Sequence, residues 1–245
     1  MRLKEALLTR GLASSEKTAE GLILAGQVLV NDVPVTKTGV SVSETDAIRL
    51  RGIKKFVSRA GEKLDAALED FAIPVAGRSF LDIGASTGGF TDALLARGAA
   101  FVAAIDVGKG LLHQKLRTDN RVQVLEDCDF KNFDASVLRQ DAEAFVADVS
   151  FTSLESMLAK AFSVLKPKGR PAEGIVLFKP QFELPKAERK LLVGGILQNE
   201  GRSHQLLENF TEKVASLGIA VKRAEKAAIR GAKGNQEFVL HLSRQ

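Results

Sequence analysis

Residues 80–90 read Phe-Leu-Asp-Ile-Gly-Ala-Ser-Thr-Gly-Gly-Phe. A short apolar run (Phe80, Leu81, Ile83), broken by one acid, leads into a glycine-rich turn. A helix-like segment from Phe90 to Arg97 follows. Strand, glycine turn and helix together are how an α/β sheet presents a nucleotide-like ligand at its carboxyl edge. The order of elements downstream agrees. Apolar strand runs recur at 80–83, 101–105, 122–125, 144–147 and 175–178, with helical segments between them, among them Leu154–Leu165. Such alternation implies a mostly parallel sheet covered on both faces. A helix over about Asn199–Ser216 precedes two late runs, Ile219–Ala224 and Glu237–Leu242, suited to antiparallel pairing.

The glycine spacing is Asp-x-Gly-x-x-x-Gly, not the Gly-x-Gly-x-x-Gly that seats a pyrophosphate on a helix N-terminus. Asp82 would repel an anion at this turn. It would favour a ligand carrying an ammonium and a sulfonium, such as S-adenosylmethionine. The strand Phe101–Ile105 ends in Asp106, 22 residues after Gly84. That is the spacing at which an acid accepts hydrogen bonds from ribose hydroxyls. A nicotinamide oxidoreductase is the rival for this motif, and the displaced glycine and the leading acid count against it.

Residues 1–50 read as a separate small unit. Leu3, Ala6, Leu7 and Leu8 mark one helix, and Ser14 or Ser15 caps a second carrying Ala19, Leu22, Ile23 and Leu24. Val28–Val30 and Val33–Val35 flank Asn31-Asp32 as a tight hairpin, and Ala47–Leu50 is a further strand. The net charge of +5 is uneven: residues 1–65 carry +3, residues 66–220 carry −2 and residues 221–245 carry +4. Arg51, Lys54, Lys55, Arg59 and Lys63 crowd one segment against Glu62 alone, the footprint of a polyanion binder. The 245 residues contain one cysteine, Cys128, which excludes an internal disulfide and fits a reducing cytoplasm. No apolar run reaches 18 residues, no secretion signal opens the chain, and the three histidines show no metal-ligand spacing. Neither a membrane nor a metal is therefore expected as a partner.

These residues resemble a known family. Leu7-Leu8-x-Arg10-Gly11-Leu12-Ala13-Ser14 and Leu22-Ile23-x-Ala25-Gly26-Gln27-Val28-x-Val30-Asn31 resemble an S4 RNA-binding domain. Ser58–Leu64, Gly84–Phe90, Asp148-Val-Ser-Phe151 and Lys179-Pro-Gln-Phe-Glu183 resemble the TlyA, or hemolysin A, family of FtsJ-like ribosomal RNA 2′-O-methyltransferases. The resemblance spans nearly the whole chain in order. It implies an α/β fold: a Rossmann-like S-adenosylmethionine-dependent methyltransferase sheet with helices on both faces and an antiparallel last strand, preceded by a small α+β S4 domain. The expected boundaries are 1–52 for the S4-like domain, 53–62 for a basic linker and 63–245 for the methyltransferase domain.

The family's Lys-Asp-Lys-Glu set, carried over by motif, falls on Lys63, Asp148, Lys179 and Glu237, with Glu183 a second choice for the glutamate. Methyl transfer is an in-line displacement on a sulfonium, and its nucleophile, a ribose 2′-hydroxyl, must be oriented and deprotonated. Lys179 is expected to position or deprotonate the hydroxyl and Asp148 to orient Lys179. Lys63 and Glu237 are expected to hold the ribose and the network. For the cofactor, the resemblance implies Asp82, Gly84, Ser86 and Gly88 around the methionine part, Asp106 on the ribose, and Asp129 and Phe130 at the adenine. Here Glu126-Asp127-Cys128-Asp129 stands where Glu-Arg-Thr-Asn is more usual.

For RNA, Arg2, Lys4, Arg10 and Lys17 are the phosphate candidates in the S4-like domain. Lys54, Lys55 and Arg59 serve in the linker and Arg230 and Lys233 at the active-site mouth. Trp and Tyr are absent, so base stacking falls to Phe, Arg or His; Phe56 is a candidate, with an anchoring role between the domains as its alternative. Ser15-Glu16-Lys17 stands where an arginine usually follows the capping serine. The expected activity is therefore 2′-O-methylation of ribosomal RNA, on cytidine, free or within a ribosomal subunit. Family members with short termini resemble this chain and are associated with the large-subunit RNA, so the resemblance implies the large-subunit (23S) RNA. The rivals are a pore-forming hemolysin, which needs a membrane-inserting element, and an RNA-binding assembly factor with an inactive methyltransferase fold.

Overall fold

A computed structural model describes residues 1–51, 55–150, 154–231 and 233–244. The chain divides into two compact units, Met1–Lys54 and Lys55–Gln245.

In the first unit, helices α1 (Leu3–Thr9) and α2 (Glu16–Leu24) pack on a sheet of β1 (Val28–Val30), β2 (Val33–Val35) and β3 (Ile48–Leu50), ordered β2-β1-β3. Ser15, not Ser14, caps α2, accepting from the Thr18 backbone N–H at 3.2 Å. Asn31 and Asp32 both take positive φ (49° and 67°), the conformation that a two-residue hairpin of matching twist requires. Leu3, Leu7, Ile23 and Val28 form the small core.

The second unit is built on seven strands. They are β4 (Ser79–Ile83), β5 (Phe101–Ile105), β6 (Val122–Leu125), β7 (Ala144–Ala147), β8 (Ala172–Phe178), β11 (Ile219–Lys226) and β12 (Phe238–Arg244). A two-stranded hairpin of β9 (Leu192–Val193) and β10 (Ile196–Leu197) lies between β8 and β11 in sequence. The sheet order is β11-β12-β8-β7-β4-β5-β6. Strands β4 to β8 pair in parallel, and β12 inserts antiparallel between β8 and β11. The last strand alone therefore opposes the others.

Helices α3 (Arg59–Asp70), α4 (Gly89–Ala96) and the short α5 (Gln114–Arg117) cover one face. Helices α6 (Leu154–Val164) and α8 (Glu200–Ser216) cover the other, and the short α7 (Pro180–Glu183) follows β8. Strand residues alternate between the faces with period two: Leu81, Ile83, Phe145 and Phe178 pack under α6 and α8, while Phe80, Val102, Val146 and Leu177 pack under α3 and α4. Phe145 and Phe178 are fully buried, so truncating either to alanine costs about 3–5 kcal/mol.

Two expectations for the junction require correction. Residues 59–62 are the first turn of α3, not linker. Gly61 faces Gly89 on α4, where a Cβ would lie 2.6 Å from the Gly89 carbonyl oxygen, so the helices touch backbone to backbone. Phe56 is 3 % exposed, inside the core under α3 and α4, and is unavailable for base stacking. Apolar burial outweighs the charge of its neighbours in sequence.

Candidate functional site

The sheet order reverses between β4 and β7, which places a crevice beyond their carboxyl ends. Asp82, the penultimate residue of β4, sits on the α4 side and is fully buried. Its Oδ2 accepts from the Thr91 N–H at 2.8 Å and the Thr91 hydroxyl at 2.6 Å. Its Oδ1 is buried without a hydrogen-bond partner. Burial pushes the Asp82 carboxyl up to about 7, with Asp148 and Asp106 adding to the rise and the Thr91 bonds opposing it.

A cavity of about 930 Å³ opens there, a size that suits a small-molecule site. Lys63, Asp148, Lys179 and Glu237 all line it. The four resolve into two ion pairs. Lys63 Nζ, from α3, lies 2.5 Å from Glu237 Oε2 at the start of β12, 174 residues away. Lys179 Nζ, after β8, lies 2.6 Å from Asp148 Oδ1, after β7, and donates to Ser150 Oγ at 2.8 Å. Asp148 Oδ1 makes no well-angled hydrogen bond, so this contact is ionic. Glu183 lines the cavity too, but its carboxylate accepts from the Leu154 backbone N–H at the start of α6, and burial pushes it up. It joins neither pair.

Gly84 and Ser86 share the cavity. Gly84 has φ +79°, and a Cβ there would meet the Asp148 carbonyl oxygen at 2.9 Å. Gly88 lies outside the lining, at the N-cap of α4 with φ +92°; a Cβ would lie 2.2 Å from Leu116 Cδ1. Asp106 also lies outside it. Its two oxygens accept from Ser86 N–H (2.8 Å) and Gly108 N–H (2.7 Å), tying the loops after β4 and β5 together. Asp129 is exposed and accepts from the Lys131 N–H. Phe130 is buried under α6, its ring stacked on Phe133 at 5.4 Å. The sequence reading gave Glu126 no role. It accepts from the N–H groups of Gly110, Leu111 and Leu112 and pairs with Arg117, which together hold its carboxyl down at about 2.

The RNA candidates separate into used and open cations. Arg10 donates to the carbonyls of Asp46, Ser43 and Glu44, so it braces a turn of its own unit. Arg2 donates to the Gly39 carbonyl, and Lys4 pairs with Glu16. Lys55 pairs with Asp65. Lys17 is exposed with no partner among the described residues. Arg59 and Lys233 are exposed and line the cavity, joined there by Arg189 and by Arg230, which also donates to the Gly234 carbonyl at 3.1 Å. Lys54 lies outside the described residues, as does Phe151.

S-adenosylmethionine fits this site on two counts. Asp82 offers a buried oxygen in want of a cationic or N–H partner, and Gly84 keeps the adjoining backbone bare of a side chain. Ser150, Gln181 and Asn235 escaped the sequence reading. The first two stand inside motifs already singled out, Asp148-Val-Ser-Phe and Lys179-Pro-Gln-Phe-Glu. Asn235 bonds Leu197 N–H and the Gly195 carbonyl across about 40 residues, which no local signal announces.

Residues 56–244 match the FtsJ-like methyltransferase family, and residues 1–48 match the S4 domain. A Brachyspira hyodysenteriae protein named hemolysin A is 39 % identical over 99 % of both chains. A Mycobacterium tuberculosis protein named 16S/23S rRNA (cytidine-2′-O)-methyltransferase TlyA is 38 % identical over 100 % of this chain and 90 % of its own. A solved Streptococcus thermophilus structure carrying the hemolysin name superposes with a TM-score of 0.73 at 32 % identity, covering 100 % of this chain and 88 % of that one. With an FtsJ-like sheet, an S4 domain ahead of it and relatives of this similarity along its whole length, the chain belongs to the TlyA, or hemolysin A, family.

Proposed function

We propose that this protein transfers the methyl group of S-adenosylmethionine to a ribose 2′-hydroxyl of ribosomal RNA, at a cytidine of the large-subunit RNA. S-adenosylmethionine supplies an electrophilic methyl on a sulfonium. Every other requirement falls to side chains. Asp82 and the backbone around Gly84 receive the cationic end of the donor, on the β4 side of the crevice. Lys179 addresses the acceptor oxygen from the β8 side.

The observation that carries this reading is the setting of Lys179. An ammonium has three N–H donors. Ser150 takes one of them, Asp148 balances the charge by ionic contact, and donor capacity is left for an acceptor inside the cavity. A 2′-oxygen bonded there is held with a lone pair directed at the methyl carbon. As the new O–C bond forms the S–C bond breaks, S-adenosylhomocysteine leaves as a neutral thioether, and the hydroxyl proton, now acidic, passes to water in the open cavity. Lys179 steadies that oxygen and Asp148 holds Lys179 on line. The Lys63–Glu237 pair forms the floor between α3 and β12 and bonds the ribose. Arg59, Arg189, Arg230 and Lys233 meet phosphates at the mouth, which positions RNA without reading bases.

The hemolysin name of two relatives does not favour a pore-forming reading. Among the described residues no helix is long and apolar enough to cross a membrane. The carboxylates and lysines of the crevice fit methyl transfer. Mapping ribose methylation in ribosomal RNA from cells with and without the gene tests the proposal. A 2′-O-methylcytidine that disappears with the gene supports it, and an unchanged map refutes it.

A further inference from the structure

Three of the five buried, unpartnered side-chain atoms among the described residues belong to this cavity: Asp82 Oδ1, Asp148 Oδ1 and Gln181 Oε1. The first faces the cationic donor in the reading above, and the second has the Lys179 ammonium. Gln181 is unexplained. It stands two residues past Lys179, in α7, and is 9 % exposed. No group among the described residues bonds either end of its amide. That buried oxygen loses its water and gains nothing in return. Native proteins rarely keep such a group without a use for it.

The sheet order says which ligand it serves. The donor lies over β4 and β5, the half that carries Asp82, Gly84 and Asp106. Gln181 belongs to the other half, beyond β8, with Lys179 and with Glu237, the residue just ahead of β12. The ribose there already has ammonium and carboxylate partners. A neutral amide, able to donate or accept, matches the polar edge of a base turned out of its stack, the usual way single-stranded RNA is read. We propose that Gln181 reads the base of the target nucleotide and so sets which nucleotide is methylated. This rests on the methyltransferase reading.

The test uses Gln181→Leu, which removes the amide and keeps the volume. Expected results are an unchanged or higher Tm, an S-adenosylmethionine affinity within twofold of wild type, and kcat/KM on the RNA lower by about 10- to 100-fold. The preference for cytidine over uridine at the mapped nucleotide also falls. A lowered Tm would mean that the amide bonds within the protein, and an undiminished cytidine preference would mean that it does not read the base. Either result overturns the proposal. Binding of short RNAs with cytidine or uridine at that nucleotide, measured without turnover, keeps the tests apart. Wild type that binds selectively but transfers no methyl sinks the methyltransferase reading. A variant that binds with wild-type selectivity sinks the role of Gln181.

Discussion

Lys179 Nζ lies between Asp148 Oδ1, at 2.6 Å, and Ser150 Oγ, at 2.8 Å, on adjacent parallel strand ends. This geometry separates two roles by size of effect. Asp148→Ala releases the ammonium from its charge partner and lowers kcat by about 10²–10⁴-fold, the range for a lost proton-handling or orienting group. Ser150→Ala removes one neutral acceptor and lowers kcat by about tenfold. Both variants retain S-adenosylmethionine affinity within twofold. Single-turnover methylation alongside calorimetric binding checks this, and a loss of cofactor binding equal to the loss of rate would contradict it.

The Lys63–Glu237 pair is buried on both sides, with side chains 9 % and 5 % exposed. Removing one partner strands a charge away from water, so Glu237→Gln destabilises the protein by about 3–5 kcal/mol. Replacing both, Lys63→Met with Glu237→Leu, recovers most of that stability and leaves the enzyme inactive. Urea unfolding of the three proteins reads the difference. A double variant no more stable than the single one would show that the pair is not the source.

Asp82 makes cofactor binding depend on pH. Its carboxyl titrates at about 7 in the folded protein because it is buried, and it lies below that in the unfolded chain. In the free protein its contribution to stability is present at low pH and is lost as pH rises through about 7. A cationic ligand favours the carboxylate, so S-adenosylmethionine binds more tightly as pH rises from 6 to 8 and releases a proton. Calorimetry in two buffers of different ionisation enthalpy measures that proton. Uptake, or no exchange, would show that the donor's charge does not meet Asp82.

Asn235 is buried and bridges Leu197 N–H (2.9 Å) and the Gly195 carbonyl (2.9 Å), fastening the β9–β10 hairpin to the loop that carries Lys233 and Glu237. Asn235→Ala costs about 1–3 kcal/mol locally. Limited proteolysis should then cut at Gly194-Gly195 sooner than in wild type, with RNA methylation falling and cofactor affinity held. Unchanged cleavage would show that the hairpin is held by other contacts.

Lys17 and Arg10 look alike in sequence and differ in structure. Lys17→Ala should weaken RNA binding and lower the slope of log K against log salt by about 1, with no change in Tm. Arg10→Ala lets go of three carbonyls and should lower the stability of residues 1–51. Equal salt slopes for Lys17→Ala and wild type would remove Lys17 from the interface.

What the sequence made legible was local or periodic. The apolar runs of β4, β5 and β7 are buried on both faces and so read as strands without alternation, and the Asp82-x-Gly84 turn announced the crevice. Positive φ at Asn31 and Asp32 explains why the hairpin was readable from two residues. What failed depends on contacts distant in sequence. Phe56 sits among basic residues but packs under α3 and α4. Arg59–Glu62 looked like linker because the apolar stripe of α3 begins only at Leu64. The contacts that Phe130 and Arg10 make, with Phe133 and with a turn more than 30 residues away, carry no signal in the sequence. Gln181 and Ser150 carried no signal beyond membership of a motif, since an unpartnered amide or a shared ammonium exists only in three dimensions.

The most direct measurement is transfer of labelled methyl from S-adenosylmethionine to ribosomal RNA or subunits by wild type and Lys179→Ala, with nuclease mapping of the label. The account predicts label on a ribose 2′-oxygen with wild type and none above background with Lys179→Ala, although the variant still binds the cofactor. Equal incorporation by the two proteins, or label carried on a base, would contradict it.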